Sequence, residues 1–256
     1  SCLAEQAKIL LAEAEENNLD DKANERWRRW FQCSLCEQDY HGVVICALGW
    51  ACWKTYVGRP EADWARRVAI SVLGNGLAET GHYEDALSVR EAELSVERRV
   101  GAPEDSILIV QSNLANTYQR LGRNEEALCM TRDVYLGLLK LHGEENEETL
   151  TTAHNYASSL LDLQRFKETK ALLRKTIPVA RRVLGKSHDL TLVMKKVYAD
   201  ALYRGAGATL DELRESVTTL EDTERIRRRV FGDSHPTTSN VEQTLRNARA
   251  ALRARE

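Results

Sequence analysis

The sequence lacks a strong excess of charge of either sign. Its 36 Lys and Arg residues stand against 39 Asp and Glu residues, and a net charge of -3 predicts no general field that would recruit nucleic acid or an anionic membrane. It also lacks an apolar run of the roughly 18 residues that a membrane span needs. We therefore expect neither nucleic acid nor membrane as a partner.

A secretory signal is missing as well. The first residues, SCLAEQAKILLAEAEENN, follow the pattern of an amphipathic helix, and the absence of an initiator Met suggests a fragment. Six cysteines without such a signal predict reduced thiols and a cytoplasmic location.

Motifs that carry catalysis are absent too. The sequence contains no Gly-rich phosphate loop, no nucleophile elbow and no paired-His metal motif. His142, His188 and His235 fall in equivalent loops, where repetition explains them without chemistry. The sequence therefore predicts a protein that is not an enzyme and needs no cofactor.

What the sequence does contain is an internal repeat. Three segments align with one another, beginning at Leu77, Tyr118 and Leu160. A short turn recurs in them, at Gly81, Gly122 and Gln164. A longer turn recurs at Gly101, Gly143, Gly185 and Gly232, at intervals of 42, 42 and 47 residues. Between the turns the apolar residues have helical spacing, so each unit is predicted to be helix, short turn, helix, longer loop.

Basic clusters precede the outer glycines, at Arg98-Arg99, Arg181-Arg182 and Arg227 to Arg229. Such a cluster could bind phosphate. The favoured interpretation is that these cations oppose the negative end of the helix dipole.

The motif Y-x-x-x-G-R-N-E-E-A at residues 118–127 resembles the tetratricopeptide repeat, although a pitch of 42 residues exceeds that family's roughly 34. The segments SNLANTYQRLGRNEEAL (112–128) and FGDSHPTT (231–238) resemble the kinesin-light-chain type. The resemblance covers about residues 64–256, as four units and a final helix. It implies an all-α fold, an α-α superhelix or solenoid of helix-turn-helix repeats with a concave groove.

In that family the first helix of each unit lines the groove. The resemblance therefore implies a partner-binding surface of polar residues that packing does not use: Ser71, Asn75, Ser112, Asn116, Arg120, His154, Ser158, Asp162, Lys196, Asp200 and Arg204. Their Asn and Ser side chains could bond to the backbone of an extended peptide. The alternative is that they are only solvated helix faces. Lys196 stands one turn before Asp200, which weakens any terminal-carboxylate clamp.

Residues 1–63 are predicted to form a separate helical region rich in Trp and Cys, with helices at 3–17, 20–32 and 43–57. The third is apolar on every face, which predicts a buried helix. All five tryptophans fall at or near this region, and we expect them to pack as a cap on the repeat array, residues 64–256.

Four residues in this region have the spacing of a zinc knuckle: Cys33, Cys36, His41 and Cys46. Against zinc, Cys46 lies within a predicted buried helix and Glu37 occupies a position where a knuckle needs Gly. No metal is favoured, and a bound zinc would be structural.

These observations favour a monomeric scaffold or adaptor that binds a protein or peptide in the concave groove. The alternative is a structural module that supports another domain of a longer polypeptide, possibly through self-association.

Overall fold

The computed structural model describes residues 2–17, 25–232 and 235–256, and this part of the chain is all-α, as predicted. The helices are α1 (Cys2–Glu16), α2 (Val43–Tyr56), α3 (Trp64–Glu79), α4 (Tyr83–Arg99), α5 (Glu104–Arg120), α6 (Asn124–His142), α7 (Glu147–Asp162), α8 (Phe166–Val183), α9 (Asp189–Tyr203), α10 (Leu210–Phe231) and α11 (Pro236–Arg253). From α3 onward they follow the predicted order of helix, short turn, helix, longer loop.

The turns have the conformation that their glycines predict. Gly81 and Gly122 have φ of +80° and +73°, in the left-handed region where a side chain adds strain. Gln164 occupies the equivalent place in the next unit and also has positive φ, at +58°. The inner turn therefore keeps its geometry even where glycine is replaced.

Side-chain caps fix several helix starts. Asp63 accepts a hydrogen bond from the Arg66 backbone amide at 3.1 Å, and Asn146 accepts one from Thr149 at 3.0 Å. Thr209 and Glu212 form a capping box at the start of α10. These bonds satisfy amide groups that the first turn of a helix leaves free.

The chain divides into two compact units, residues 1–123 and 124–256. In the first unit, Trp27 and Trp30 are buried with Tyr56 from α2 and with Ala69 from α3. The tryptophan-rich region thus packs on the first repeat helix. The predicted domain boundary at residues 63/64 remains a prediction.

One prediction for the N-terminal region, the burial of α2, needs correction, and part of another concerns residues that the structure does not describe. Helix α2 is not buried on every face, since Val43 is 80% exposed and Trp50 43% exposed. Of the helix predicted at 20–32, residues 18–24 lie outside the described residues. Residues 25–27 are helical and continue as a 3-10 turn at Arg28–Trp30.

The second unit is built around its own apolar clusters. Leu150, Leu173 and Leu202 are at most 1% exposed in a cluster that joins α7, α8 and α9. Pro178 lies inside α8, which runs on to Val183. Ser216, which stands where earlier units have Ala, is fully buried, and its hydroxyl donates to the Ala199 carbonyl at 2.9 Å. A small side chain is needed there because α9 and α10 pack closely.

Among the described residues, no helix has both the length and the apolar character that crossing a membrane would require.

Candidate functional site

A cavity of about 380 Å³ opens in the first unit between the helices of the first repeat and the first helix of the second. It is lined by residues of α3, by Tyr83 and Arg90 of α4, and by polar residues of α5. The full lining is Asn75, Ala78, Glu79, Tyr83, Arg90, Asn113, Asn116, Thr117 and Arg120. The repeat geometry creates this cavity, because helical spacing turns Asn113, Asn116 and Arg120 toward one side of α5.

Arg90 is the most unusual residue of the lining. It is only 4% exposed, and one guanidinium nitrogen, Nη2, donates to Asn75 Oδ1 at 3.0 Å. Its Nε and Nη1 find no hydrogen-bond acceptor among the described residues. Burial lowers the pKa of Arg90, against the opposing effect of the nearby Glu93 carboxylate. Arg90 therefore lines the cavity with a guanidinium group whose two unpaired nitrogens are enclosed by protein.

Glu93 lies one turn after Arg90 and is 1% exposed. Burial raises its pKa to about 6, although the Ser71 hydroxyl donates to it and Arg90 lies nearby. Its Oε2 accepts no hydrogen bond from the described residues. Arg90 thus has a carboxyl neighbour that neutralises it only partly.

The predicted groove residues of the first unit separate into two groups. Asn75, Asn116 and Arg120 line the cavity together. Ser71 and Ser112 do not line it: Ser71 is partly buried against Glu93, and Ser112 is half-buried on α5. Arg90 was missed, because only first helices were expected to contribute. Its signal was present, since Arg90 follows Ala86 and Leu87 at core spacing on α4.

In the second unit, α7 carries three of the predicted residues. His154 is half-buried, and burial lowers its pKa, with Lys196 adding to the effect and Asp189 opposing it. Its Nδ1 atom is buried without a hydrogen-bond partner among the described residues. Ser158 is half-buried and Asp162 is exposed. His154 is therefore neutral at pH 7 and poorly solvated.

Lys196 and Asp200 belong to the first helix of the last unit, and Arg204 directly follows its last residue. Lys196 Nζ donates to Asp200 Oδ2 at 2.9 Å, the pairing that the sequence predicted, and Asp200 is only 6% exposed. Arg204 is exposed, with its guanidinium carbon 5.9 Å from the centre of the Phe166 ring. Lys196 is thus engaged within its own helix.

The four candidate zinc ligands lie in and after a tight turn. Cys33 Sγ accepts a hydrogen bond from the Leu35 amide at 3.5 Å, and hydrogen bonds from Cys36 and Leu35 lower the pKa of its thiol. Glu37 closes the turn with φ of +56°, while His41 Nδ1 lies 3.5 Å from Glu79 Oε1. Within the described residues, no three His, Cys, Asp or Glu side chains are grouped as a metal would require.

Comparison with known proteins identifies the fold. A sequence model of the tetratricopeptide repeat matches residues 108–144 and 149–189. No curated protein sequence matches the chain. One solved structure contains TPR-like repeats of a candidate kinesin light chain from Podosopora anserina, which are nearly identical to one another. Its sequence is 18% identical to this chain. It covers 90% of this chain and 96% of that one, with a TM-score of 0.61.

A second solved structure, BtubC (BKLC) from P. vanneervenii, is 16% identical, covers 99% of this chain and 89% of that one, and has a TM-score of 0.57. Identities this low establish a shared fold. Tetratricopeptide repeats serve mainly as non-enzymatic scaffolds for protein–protein contacts. The repeat match and the shared fold agree with the 42-residue pitch and the turn positions: residues 108–144 and 149–189 match the tetratricopeptide repeat, and the chain shares the fold of these TPR-like repeat structures.

Proposed function

We propose that this protein is a non-enzymatic, cytoplasmic adaptor that binds an extended segment or a helix of a partner protein. The binding surface is the set of polar residues on the first helices of the repeats: Ser71, Asn75, Ser112, Asn116, Arg120, His154, Ser158, Asp162, Lys196, Asp200 and Arg204. The strongest support comes from the first unit, where three of these residues surround the cavity that contains Arg90.

The buried guanidinium of Arg90 is the observation that carries the proposal. A buried donor without an acceptor costs roughly 1–3 kcal/mol, and more when it is charged. Nη2 is bonded to Asn75, and Nε and Nη1 are enclosed by protein, so Arg90 attracts a ligand in the cavity through its charge. A ligand oxygen could satisfy Nε or Nη1 only if the side chains around them rearranged.

The same chemistry defines the partner residue. A carboxylate of Asp or Glu would be attracted by the charge of Arg90 and could accept charge-assisted hydrogen bonds from the exposed Arg120. Asn113 and Asn116 carry amide groups that can bond to the backbone of the peptide on either side. Glu79 is the only acidic residue of the lining, and it also lies beside His41. We therefore propose that the bound segment carries an acidic side chain.

The test is selection of peptides from a displayed random library on the full chain, followed by affinity measurement. Selected peptides should share an acidic position. Their affinity for an Asn116→Ala/Arg120→Ala variant should be lower by about tenfold or more, because charge-assisted contacts at the centre of an interface are lost.

The matched control is Gln119→Ala/Arg98→Ala, which removes one amide and one guanidinium from exposed positions outside the cavity lining. Its affinity should equal that of the unmodified chain, and the melting temperatures of both variants should agree. Equal affinities for all three proteins would contradict the groove and favour the alternative, a structural module that supports another domain.

A further inference from the structure

A second cavity lies in the other unit and has a different chemical character. It measures about 760 Å³ and is formed by the end of α8, the following loop, α9 and the second half of α10. Its lining is Arg181, Lys186, Ser187, Lys195, Asp222, Arg225, Ile226, Arg229 and Val230. Among the described lining residues, five cationic side chains thus face one carboxylate, in a chain whose net charge is -3.

The carboxylate of Asp222 already accepts hydrogen bonds from two of the cations. Asp222 accepts hydrogen bonds from Lys195 Nζ at 2.7 Å and from Arg225 Nη2 at 2.6 Å. The bond from Lys195 is the main reason that the pKa of Asp222 lies below its usual value. Asp222 therefore stays ionised and positions Lys195 and Arg225. Each of its carboxylate oxygens already accepts a hydrogen bond from one of these two residues.

The remaining three cations, Arg181, Lys186 and Arg229, form no ion pair or side-chain hydrogen bond within the described part of the chain. The residues next to Arg181 and Arg229 in the sequence do form ion pairs: Arg182 pairs with Glu145 at 2.8 Å, and Arg228 pairs with Glu242 at 2.9 Å. In each basic cluster, the residue that faces the cavity is the one that has no carboxylate partner among the described residues.

Helix capping does not account for this arrangement. Arg181 and Arg229 lie in the last turns of their helices and can oppose the helix dipole. Lys195 lies in the middle of α9, however, and Arg225 lies more than one turn before the end of α10. Gathering like charges in one cavity costs free energy, which a bound anion would offset.

The size and lining of the cavity restrict the anion. Its volume falls in the range typical of small-molecule sites, roughly 300–1,000 Å³. The lining contains Ile226 and Val230 but no aromatic ring, so nothing is present on which a nucleic acid base would stack. The cations come from α8, the following loop, α9 and α10, so a ligand with more than one anionic group could contact cations of several elements.

We propose that this cavity binds a ligand with two or more closely spaced phosphate groups. Guanidinium groups bind phosphate oxygens through paired hydrogen bonds, and Lys residues add point charge. All of its lining residues lie in the second unit, and none belongs to the predicted peptide groove. The inference is therefore independent of the proposed adaptor function.

The test is calorimetric titration of the full chain with inorganic tripolyphosphate in buffer free of divalent cations. The variant is Arg181→Gln/Arg229→Gln, which removes two exposed cations of the lining that pair with no described residue. Its affinity should be lower by at least about tenfold, because two charge-assisted phosphate contacts are lost.

The matched control is Arg182→Gln/Arg228→Gln, which removes the same charge from the adjacent positions. Its affinity should change less than about threefold, since loss of exposed charge outside a site has only a screened effect. Equal losses in both variants, or no saturable binding of tripolyphosphate, would overturn the proposal.

Vesicles distinguish a free polyphosphate from a lipid headgroup. Phosphatidylinositol bisphosphate vesicles and phosphatidylserine vesicles of equal surface charge are compared by co-sedimentation. Preference for the bisphosphate lipid, lost in Arg181→Gln/Arg229→Gln, would support a headgroup. Tripolyphosphate binding without this preference would support a soluble ligand. Binding of single-stranded RNA with no binding of tripolyphosphate would overturn the proposal.

Discussion

Charged residues inside α4 are the feature that most distinguishes this chain at the scale of single residues. Arg90, Glu93 and Glu97 are all at most 5% exposed, on the face of the helix that also buries Leu94. Glu97 is paired with Arg67, whose Nε lies 2.7 Å from Glu97 Oε1. Arg90 and Glu93 keep unused polar atoms. Buried polar groups of this kind cost stability, which is why we connect them with binding.

Glu93 gives a prediction about pH. Its pKa rises from 4.5 to about 6 in the folded chain, so the folded state keeps a proton that the unfolded state has lost. The contribution of Glu93 to the free energy of unfolding should therefore fall by about 2 kcal/mol as the pH rises from about 4 to about 7. Glu93→Gln should remove this part of the pH dependence, as measured by denaturant unfolding across that range.

The control for this prediction is Glu91→Gln, which changes an exposed carboxylate on the same helix. It should keep the pH dependence of the unmodified chain. If Glu93→Gln and the unmodified chain differ by a constant at every pH, the pKa of Glu93 is not raised.

Cysteine reactivity provides a second prediction at this scale. Hydrogen bonds from Cys36 and Leu35 lower the pKa of Cys33, which increases its thiolate fraction at neutral pH. Iodoacetamide should therefore modify Cys33 before the exposed Cys129, as followed by peptide mass spectrometry. Buried Cys52, whose pKa burial raises, should remain unmodified in the folded chain. Modification of Cys129 ahead of Cys33 would contradict this order.

At the scale of elements, the inner turns repeat one backbone conformation with different residues. Gly81 and Gly122 adopt positive φ freely, whereas Gln164 adopts it at a cost. The hydrogen bond from the Arg165 amide to the Leu160 carbonyl, at 2.8 Å, matches that from Arg123 to Tyr118, at 2.9 Å. The packing of the helical hairpin therefore determines the backbone conformation of the inner turn, and Gln164 adopts that conformation although it is not glycine.

Gln164→Gly should consequently stabilise the second unit. Removing the left-handed strain outweighs the greater freedom of glycine in the unfolded chain, and we expect a gain of about 0.5–1 kcal/mol. Gly122→Gln, the reverse change at the equivalent turn, should destabilise its hairpin by a similar amount. Denaturant unfolding measures both. Loss of stability in Gln164→Gly would mean that its side chain contributes more than the strain costs.

At the scale of the whole molecule, the chain consists of two compact units, each with its own apolar cluster. Leu173 is fully buried in the second unit, and Leu73 is 2% exposed in the first. Repeat arrays draw stability from interactions between neighbouring elements, so damage is expected to stay local.

Leu173→Ala should lower stability by about 2–5 kcal/mol through the cavity it creates. In hydrogen exchange, the amides of α7, α8 and α9 should lose protection while those of α3 and α4 keep it. Leu73→Ala should produce the reverse pattern. Equal loss of protection in both units after either substitution would show that the chain unfolds as a single cooperative body.

The order of elements was predictable from the sequence because its causes are local. Turn glycines at a constant interval and apolar stripes at helical spacing specify helix hairpins without reference to distant residues. The prediction that α2 is buried on every face was wrong for a physical reason. The helix is apolar around most of its circumference, but its neighbours cover only part of it, so Val43 and Trp50 remain exposed. Hydrophobicity alone did not indicate which face had a partner.

The sequence by itself thus determined the order of the helices, the turns, the repeat pitch and the polar character of the proposed groove residues, since spacing along one chain is enough for each. Tertiary structure alone decided which polar residues meet. Arg90 comes from a second helix to join Asn75 and Asn116, and Arg181 and Arg229, 48 positions apart, face one cavity while their neighbours pair elsewhere. The physical reason is that a cavity is enclosed by several elements, and its shape and charge depend on how their side chains pack together.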